Sequence, residues 1–244
     1  NTASTLGFKI NTTGIATPAG WSVSHAGDVN GDGLDDMLVS NPSFGSNDGR
    51  VYLIYGKASG GSVEVNTLPA NGASNSVGFM VTADTTIDGS ATPRLSSVSS
   101  GDINGDGFSD LVLGAWNTGN TAATAGSLYV VYGNSTNTSL DISALNASGN
   151  NRGFRVLGEG YAGMDVAGVA DVNGDGLDDL LLQSTQGLVG AGNTTLKGAA
   201  WVVFGKTDNS PVNVSSIEAG TGGFAIGVGP VSYTHLTLPT KRIV

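Results

Sequence analysis

Three near-copies of one ten-residue string punctuate this 244-residue chain: GDVNGDGLDD at 27–36, GDINGDGFSD at 101–110 and ADVNGDGLDD at 170–179. Their first aspartates, Asp28, Asp102 and Asp171, stand 74 and 69 residues apart. A second marker keeps the same period, with GFKI at 7–10, GFMV at 78–81, GFRV at 153–156 and GFAI at 223–226. A third does so too, with GRVYLIYGK at 49–57, GSLYVVYGN at 126–134 and GAAWVVFGK at 198–206. Three independent markers at one period define an internal repeat, and a repeat restricts the fold more than any composition does: each unit must adopt the same structure and bury its apolar face against its neighbours.

Each unit reads as four short strands. WSVSHA or MDVAGVA leads into the acidic turn, and DMLVSN, DLVLGA or DLLLQS follows it. A Gly/Asn/Thr-rich loop then reaches the aromatic strand, and a longer polar loop reaches the GF strand. The apolar runs are too short for ordinary helices and are bounded by turn residues. The 39 glycines, and charged residues at only 12%, favour strands and turns in the same way. Four-stranded units repeated along a chain predict an all-β fold, a β-propeller. Three units fall short of the four to eight blades that close such a ring. The expected architecture is therefore a β-propeller fragment of about three four-stranded blades, cut from a larger propeller. Its units span about 11–83, 84–158 and 159–229, with a leading strand at 7–10. Residues 230–244 (PVSYTHLTLPTKRIV) lack the acidic turn that the period calls for and are read as a non-native tail.

The acidic turns carry the chemistry. They hold eleven of the chain's 20 acidic residues. Counted as nine positions, the first loop offers Asp28, Asn30, Asp32 and Asp36 at 1, 3, 5 and 9, and the backbone carbonyl of Leu34 at 7. The same set recurs as Asp102, Asn104, Asp106, Phe108 and Asp110, and as Asp171, Asn173, Asp175, Leu177 and Asp179. Oxygen-only ligands with several carboxylates suit Ca²⁺ better than Mg²⁺, which keeps waters and demands a tighter octahedron. Three ions, one per repeat, would take the net charge from −10 to −4. An EF-hand shares the first six positions but needs Glu at position 12, where this chain has Val39, Leu113 and Leu182. Dockerin-type loops sit in a much shorter helical repeat. As a bare hairpin turn, Asn-Gly-Asp-Gly leaves the threefold recurrence of ligands at 1, 3, 5 and 9 unexplained.

With these residues in view, SVSHAGDVNGDGLDDMLVSNP…GRVYLIYGK resembles the FG-GAP repeat of integrin α-subunit propellers and of many bacterial surface and secreted proteins. The resemblance covers roughly residues 7–228. It implies a propeller, commonly seven-bladed, with Ca²⁺ in the turn between the first and second strands of a blade. The FG element departs to GW (20–21), RL (94–95) and GM (163–164), and the GAP element to SNP (40–42), GAW (114–116) and QST (183–185).

Other chemistry is sparse. The net charge of −10 argues against a nucleic-acid partner. The absence of cysteine excludes disulfides and thiolate metal sites, and no apolar run is long enough to span a bilayer. The abrupt start at NTASTLGF is read as that of a fragment or processed product, part of a larger multidomain chain. No nucleophile elbow, zincin motif or P-loop is present, and His25 reads as a strand residue, so no catalytic residue is assigned. Trp201 occupies the core slot of Tyr52 and Tyr129, which leaves Trp116 as the surface aromatic for sugar stacking. Six N-x-[ST] sequons, at Asn11, Asn134, Asn137, Asn146, Asn193 and Asn213, carry little weight in so Asn/Ser/Thr-rich a chain. The expectation is a calcium-binding extracellular or cell-surface propeller module, without catalysis of its own, for adhesion or for a protein or carbohydrate ligand. The alternatives are an accessory propeller of a secreted hydrolase or polysaccharide lyase, and a structural spacer.

Overall fold

A computed structural model describes residues 7–12, 19–20, 22–44, 48–69, 72, 75–83, 93–116, 126–136, 138–147, 149–159, 162–163, 165–185 and 198–227. The tail at 230–244 lies outside the described residues, as do Trp21 and Met164 of the departing FG elements. The strands, in chain order, are β1 (Phe8–Asn11), β2 (Val23–Gly27), β3 (Asp36–Phe44), β4 (Asp48–Ile54), β5 (Gly61–Glu64), β6 (Gly78–Thr82), β7 (Leu95–Gly101), β8 (Asp110–Ala115), β9 (Ser127–Val131), β10 (Leu140–Asp141), β11 (Gly153–Leu157), β12 (Asp165–Val169), β13 (Asp179–Ser184), β14 (Ala199–Val203), β15 (Val212–Asn213) and β16 (Gly223–Gly227). Helical turns follow three of them, at Val65–Thr67, Ile142–Asn146 and Val214–Glu218.

Twelve strands form three antiparallel sheets of one design, β2-β3-β4-β6, β7-β8-β9-β11 and β12-β13-β14-β16. Each sheet holds the four strands read from one repeat. The first strands adjoin, β7 packing against β2 on one side and β12 on the other, as the inner strands of neighbouring blades do. The chain is a partial β-propeller.

Both faces of a blade are covered, which is why its strands read as unbroken apolar runs. In β8, Leu111 and Leu113 enter the core shared with the first blade, and Val112 enters the core shared with the third. Tyr129 and Val131 of β9 likewise face back, and Leu128 and Val130 face forward. This is the two-residue alternation of a strand, with apolar residues on both sides. In the three blades the glycine of the GF marker lies close against the neighbouring strand. A Cβ at Gly78, Gly153 or Gly223 would stand 2.0, 1.9 or 2.0 Å from the carbonyl oxygen of Leu53, Val130 or Val202.

The first and second blades, and the leading strand β1, also have a further, outermost strand that the four-strand reading missed. It comes from the following repeat and runs parallel to the GF strand: β10 beside β6 (Leu140↔Val81), β15 beside β11 (Val156↔Val212) and β5 beside β1 (Phe8↔Gly61). The leading strand β1 thus has the partner that a blade's GF strand has. The missed signal is a common pattern in the polar loop, SVEVNTL, SLDISAL and PVNVSSI. Its second apolar position (Val65, Ile142, Val214) and third (Leu68, Leu145, Ile217) are buried in the inter-blade cores. Asp141 and Asn213 cap their helical turns by accepting hydrogen bonds from Ser143 N and Ser215 N.

Candidate metal centre

The acidic loops join the first and second strands of each blade, and the three are nearly superposable in their hydrogen bonds. In the first, Asp28 Oδ1 accepts from the N–H groups of Gly31 (2.7 Å) and Asp32 (3.0 Å), and Asp28 Oδ2 accepts from Gly33 N–H (2.8 Å). Asn30 Oδ1 accepts from Asp32 N–H at 2.8 Å, Asn30 Nδ2 donates to Asp32 Oδ2 at 3.0 Å, and Asp32 Oδ1 accepts from Leu34 N–H at 2.9 Å. The second loop repeats every one of these bonds through Asp102, Asn104 and Asp106, and the third through Asp171, Asn173 and Asp175. The wrapping needs a left-handed backbone at both glycines, with φ of 76° and 85° at Gly31 and Gly33.

Positions 1, 3 and 5 are therefore brought together: the oxygens of 1 and 3 share one N–H, and the side chains of 3 and 5 touch. Position 9 lies apart. Asp36, Asp110 and Asp179 are fully buried beneath the turn. One carboxylate oxygen of each accepts from the second loop residue (Val29 N, Ile103 N, Val172 N) at 2.8–3.0 Å. The other accepts from Gly56 N, Gly133 N or Gly205 N of the third strand's end, at 2.8–2.9 Å. The ninth residue, expected as a ligand, is placed as a structural anchor. Among the described residues, no three His, Asp or Glu side chains are drawn into a cage.

The donor set fits a hard cation. It is all oxygen, and a carboxylate oxygen holding one N–H keeps a lone pair for a second partner. The electrostatics point the same way. Burial pushes the Asp36 carboxyl up to about 6 against the bonds from Gly56 and Val29, and nearby Asp32 and Asp28 push further. Burial pushes Asp110 up to about 8 against Gly133 and Ile103, with Asp106 and Asp102 adding to it. The backbone N–H of Gly176, joined by those of Gly174, Asp175 and Asn173, holds Asp171 below the usual carboxylate range. Two N–H bonds do not offset the burial of a carboxylate among like charges; a cation would.

The loops also join blade to blade, which the sequence reading did not foresee. Asp28 O accepts from Ser109 N (3.1 Å) and Val29 O from Asn134 N (3.1 Å), linking the first loop to the second blade. One repeat later, Asp102 O accepts from Asp178 N (3.0 Å) and Ile103 O from Lys206 N (3.0 Å). Asp178 Oδ2 accepts from Asp102 N at 2.9 Å as well. The approach is close: a Cβ on Gly133 would meet Ser109 O at 2.4 Å and Val29 O at 2.9 Å, and one on Gly205 would meet Asp178 O at 2.6 Å and Ile103 O at 2.9 Å. Those glycines end the aromatic-strand marker, so the signal was present in the sequence without its reason.

The remaining candidates fall into place. His25 is exposed and pairs with Asp35, Nε2 to Oδ2 3.0 Å. Trp201 is fully buried, as expected. Trp116 is half-buried, with the Arg94 guanidinium 5.8 Å from its ring centre. Among the described residues no helix is long and apolar enough to cross a membrane.

The family model of the FG-GAP repeat matches residues 19–54 and 95–131, spans that each contain an acidic loop and the strands on either side of it. Integrin alpha pat-2 of Caenorhabditis elegans is 34% identical over 104 residues, and that of Caenorhabditis briggsae 31% identical over 110 residues. Each match covers 42% of this chain and 8% of the relative, so the chain aligns with only a small part of these proteins. With the loop geometry and the sheet design, these matches show FG-GAP repeats at residues 19–54 and 95–131 of a partial β-propeller that is homologous over two fifths of its length to integrin alpha pat-2.

Proposed function

We propose that this chain is a calcium-binding propeller module that serves extracellular ligand binding or adhesion and has no catalysis of its own. The observation that carries the reading is the threefold recurrence of one oxygen cradle, bond for bond, above a buried carboxylate. Residues at positions 1, 3, 5 and 9, with the carbonyls of Leu34, Phe108 and Leu177, would hold the ions. Bound calcium would supply positive charge to the crowded aspartates. The chain's own part is to hold the loop in shape through the two glycines, to keep the ninth carboxylate under the turn, and to pass the first two carbonyls to the next blade. Loops of this kind, with dissociation constants of about 10⁻⁴–10⁻³ M, stay filled where calcium is near 10⁻³ M, which supports an extracellular setting. Kinship with integrin alpha supports a ligand-binding role.

Calorimetric titration of calcium into the chelator-stripped protein tests the reading. The expected result is heat with a stoichiometry of about three, one ion per loop. No heat, or the same heat after Asp32, Asp106 and Asp175 are all changed to Asn, would overturn it.

A further inference from the structure

Beside the acidic loop of the second blade, a crevice opens along that blade's edge and meets the third blade at Thr207. It encloses about 720 Å³, within the range of small-ligand sites. Its walls are amide and hydroxyl groups, chiefly Asn134, Thr136, Thr138 and Asn151, with the Tyr132 ring behind them and Arg152 as its cation. Among the described residues, Arg152 gives its guanidinium to Thr138 alone: Nη1 donates to Thr138 Oγ1 (3.0 Å) and Nη2 to Thr138 O (2.9 Å). Its Nε is buried with no hydrogen-bond partner, and among the described residues no carboxylate pairs with it. Asp106 also lines the crevice, but both its oxygens serve their own loop, taking Phe108 N–H and Asn104 Nδ2–H. A half-buried cation with donors to spare, ringed by amides and hydroxyls, is built for a ligand carrying both a carboxylate and hydroxyls.

The molecule contains its own control. The matching crevice between the first and second blades, lined by Asn30, Asp32, Tyr55, Asn75 and Ser76 of the first and Ser135 and Thr136 of the second, encloses only about 370 Å³. There Val77 stands where the second blade has Arg152, and it is half-buried against the core. A cation and a doubled volume therefore belong to one crevice and not to a general feature of the repeat.

We propose that the crevice along the second blade's edge binds an acidic saccharide, with Arg152 facing its carboxylate and Asn134, Asn151 and Thr136 facing its hydroxyls. A saccharide fits better than an acidic peptide, because the walls offer side-chain hydrogen bonds and neither a strand edge nor an apolar anchor pocket. The inference rests on the ligand-binding reading above and deepens it.

Titration of the calcium-loaded protein with a short oligogalacturonate, and with its methyl ester as the uncharged match, tests it. The acid should bind and the ester at least tenfold more weakly. Arg152→Gln should lose the acid tenfold or more; because Arg152 is half-buried, exposed Asn151→Asp serves as a second variant and should weaken the acid severalfold without changing the melting curve. Asn75→Asp, in the smaller crevice, should leave binding unchanged. Equal binding of acid and ester, no binding by a protein that still gives the calcium heat, or full affinity in Asn151→Asp would overturn the proposal. So would an oligo-aspartate peptide that binds as tightly and competes. Loss of saccharide binding with the calcium heat intact sinks this inference alone, whereas loss of the calcium heat sinks the reading beneath it.

Discussion

At the scale of single residues, the acidic loop divides its aspartates between two jobs. Asp106 is exposed and bonds only within its loop, whereas Asp110 is buried and ties two distant N–H groups. Asp106→Asn should therefore change the melting temperature little in chelator and lower it only when calcium is present. Asp110→Asn turns an amide N–H₂ toward a buried backbone donor and should cost about 1–3 kcal/mol even in chelator, read by urea denaturation. The pH dependence follows from the same burial. Burial pushes the carboxyls of Asp110 and Asp36 up to about 8 and about 6 in the fold, from an ordinary value of about 3.8. A carboxyl raised by folding stabilises the fold while protonated and loses that contribution as pH rises through the folded value. Chelated protein should therefore melt at a lower temperature near pH 8 than near pH 5, and calcium should flatten the difference; scanning calorimetry at the two pH values decides. Much of this loop could be read from the sequence, because ligand spacing and glycine positions are local. The second role of Asp36, Asp110 and Asp179 could not, because Gly56, Gly133 and Gly205, which complete it, lie about two dozen residues away across a sheet.

At the scale of elements, what holds one blade to the next is a set of carbonyls handed forward from each loop. Gly133→Ala would drive a Cβ into Ser109 O and Val29 O and push the first two blades apart. The expected result is a loss of about 1–3 kcal/mol, as for overpacking in a core, with far-UV circular dichroism unchanged at low temperature. An unchanged melting curve would show that the seam tolerates separation. The strands of the four-strand reading came through because each carries its own apolar run and turn residues. The outermost strands did not, because two-residue strands such as β10 and β15 have no period to detect. They pair parallel with a partner some 60 residues away, or nearly so. Their pattern, two apolar residues two positions apart and a third three further on, mixes strand and helical-turn spacing and resembles neither alone.

At the scale of the whole molecule, the blades share one face-to-face rule, and the third blade shows where it stops. Phe154 and Val156 of the second blade are fully buried, while their repeat partners Phe224 and Ile226 are 45% and 49% exposed. The ring pairing is kept throughout, as Tyr55–Phe79, Tyr132–Phe154 and Phe204–Phe224. A bare sheet face of this kind promotes association. The 244-residue chain should self-associate at raised concentration, and Phe224→Ser with Ile226→Thr should suppress this in light scattering without lowering the melting temperature. Calcium should raise that temperature throughout: at 10⁻³ M and the affinities expected, three sites add about 1–4 kcal/mol, or roughly 2–16 °C. The outermost strands carry a last consequence. Since the first and second blades each close with a segment supplied by the next repeat, the period written in the gene and the period of the folded object are out of phase. Inserting or deleting one whole period anywhere in the series rejoins each rim strand to a blade that accepts it. A chain of this design can therefore lengthen or shorten by entire units without any junction having to be reinvented.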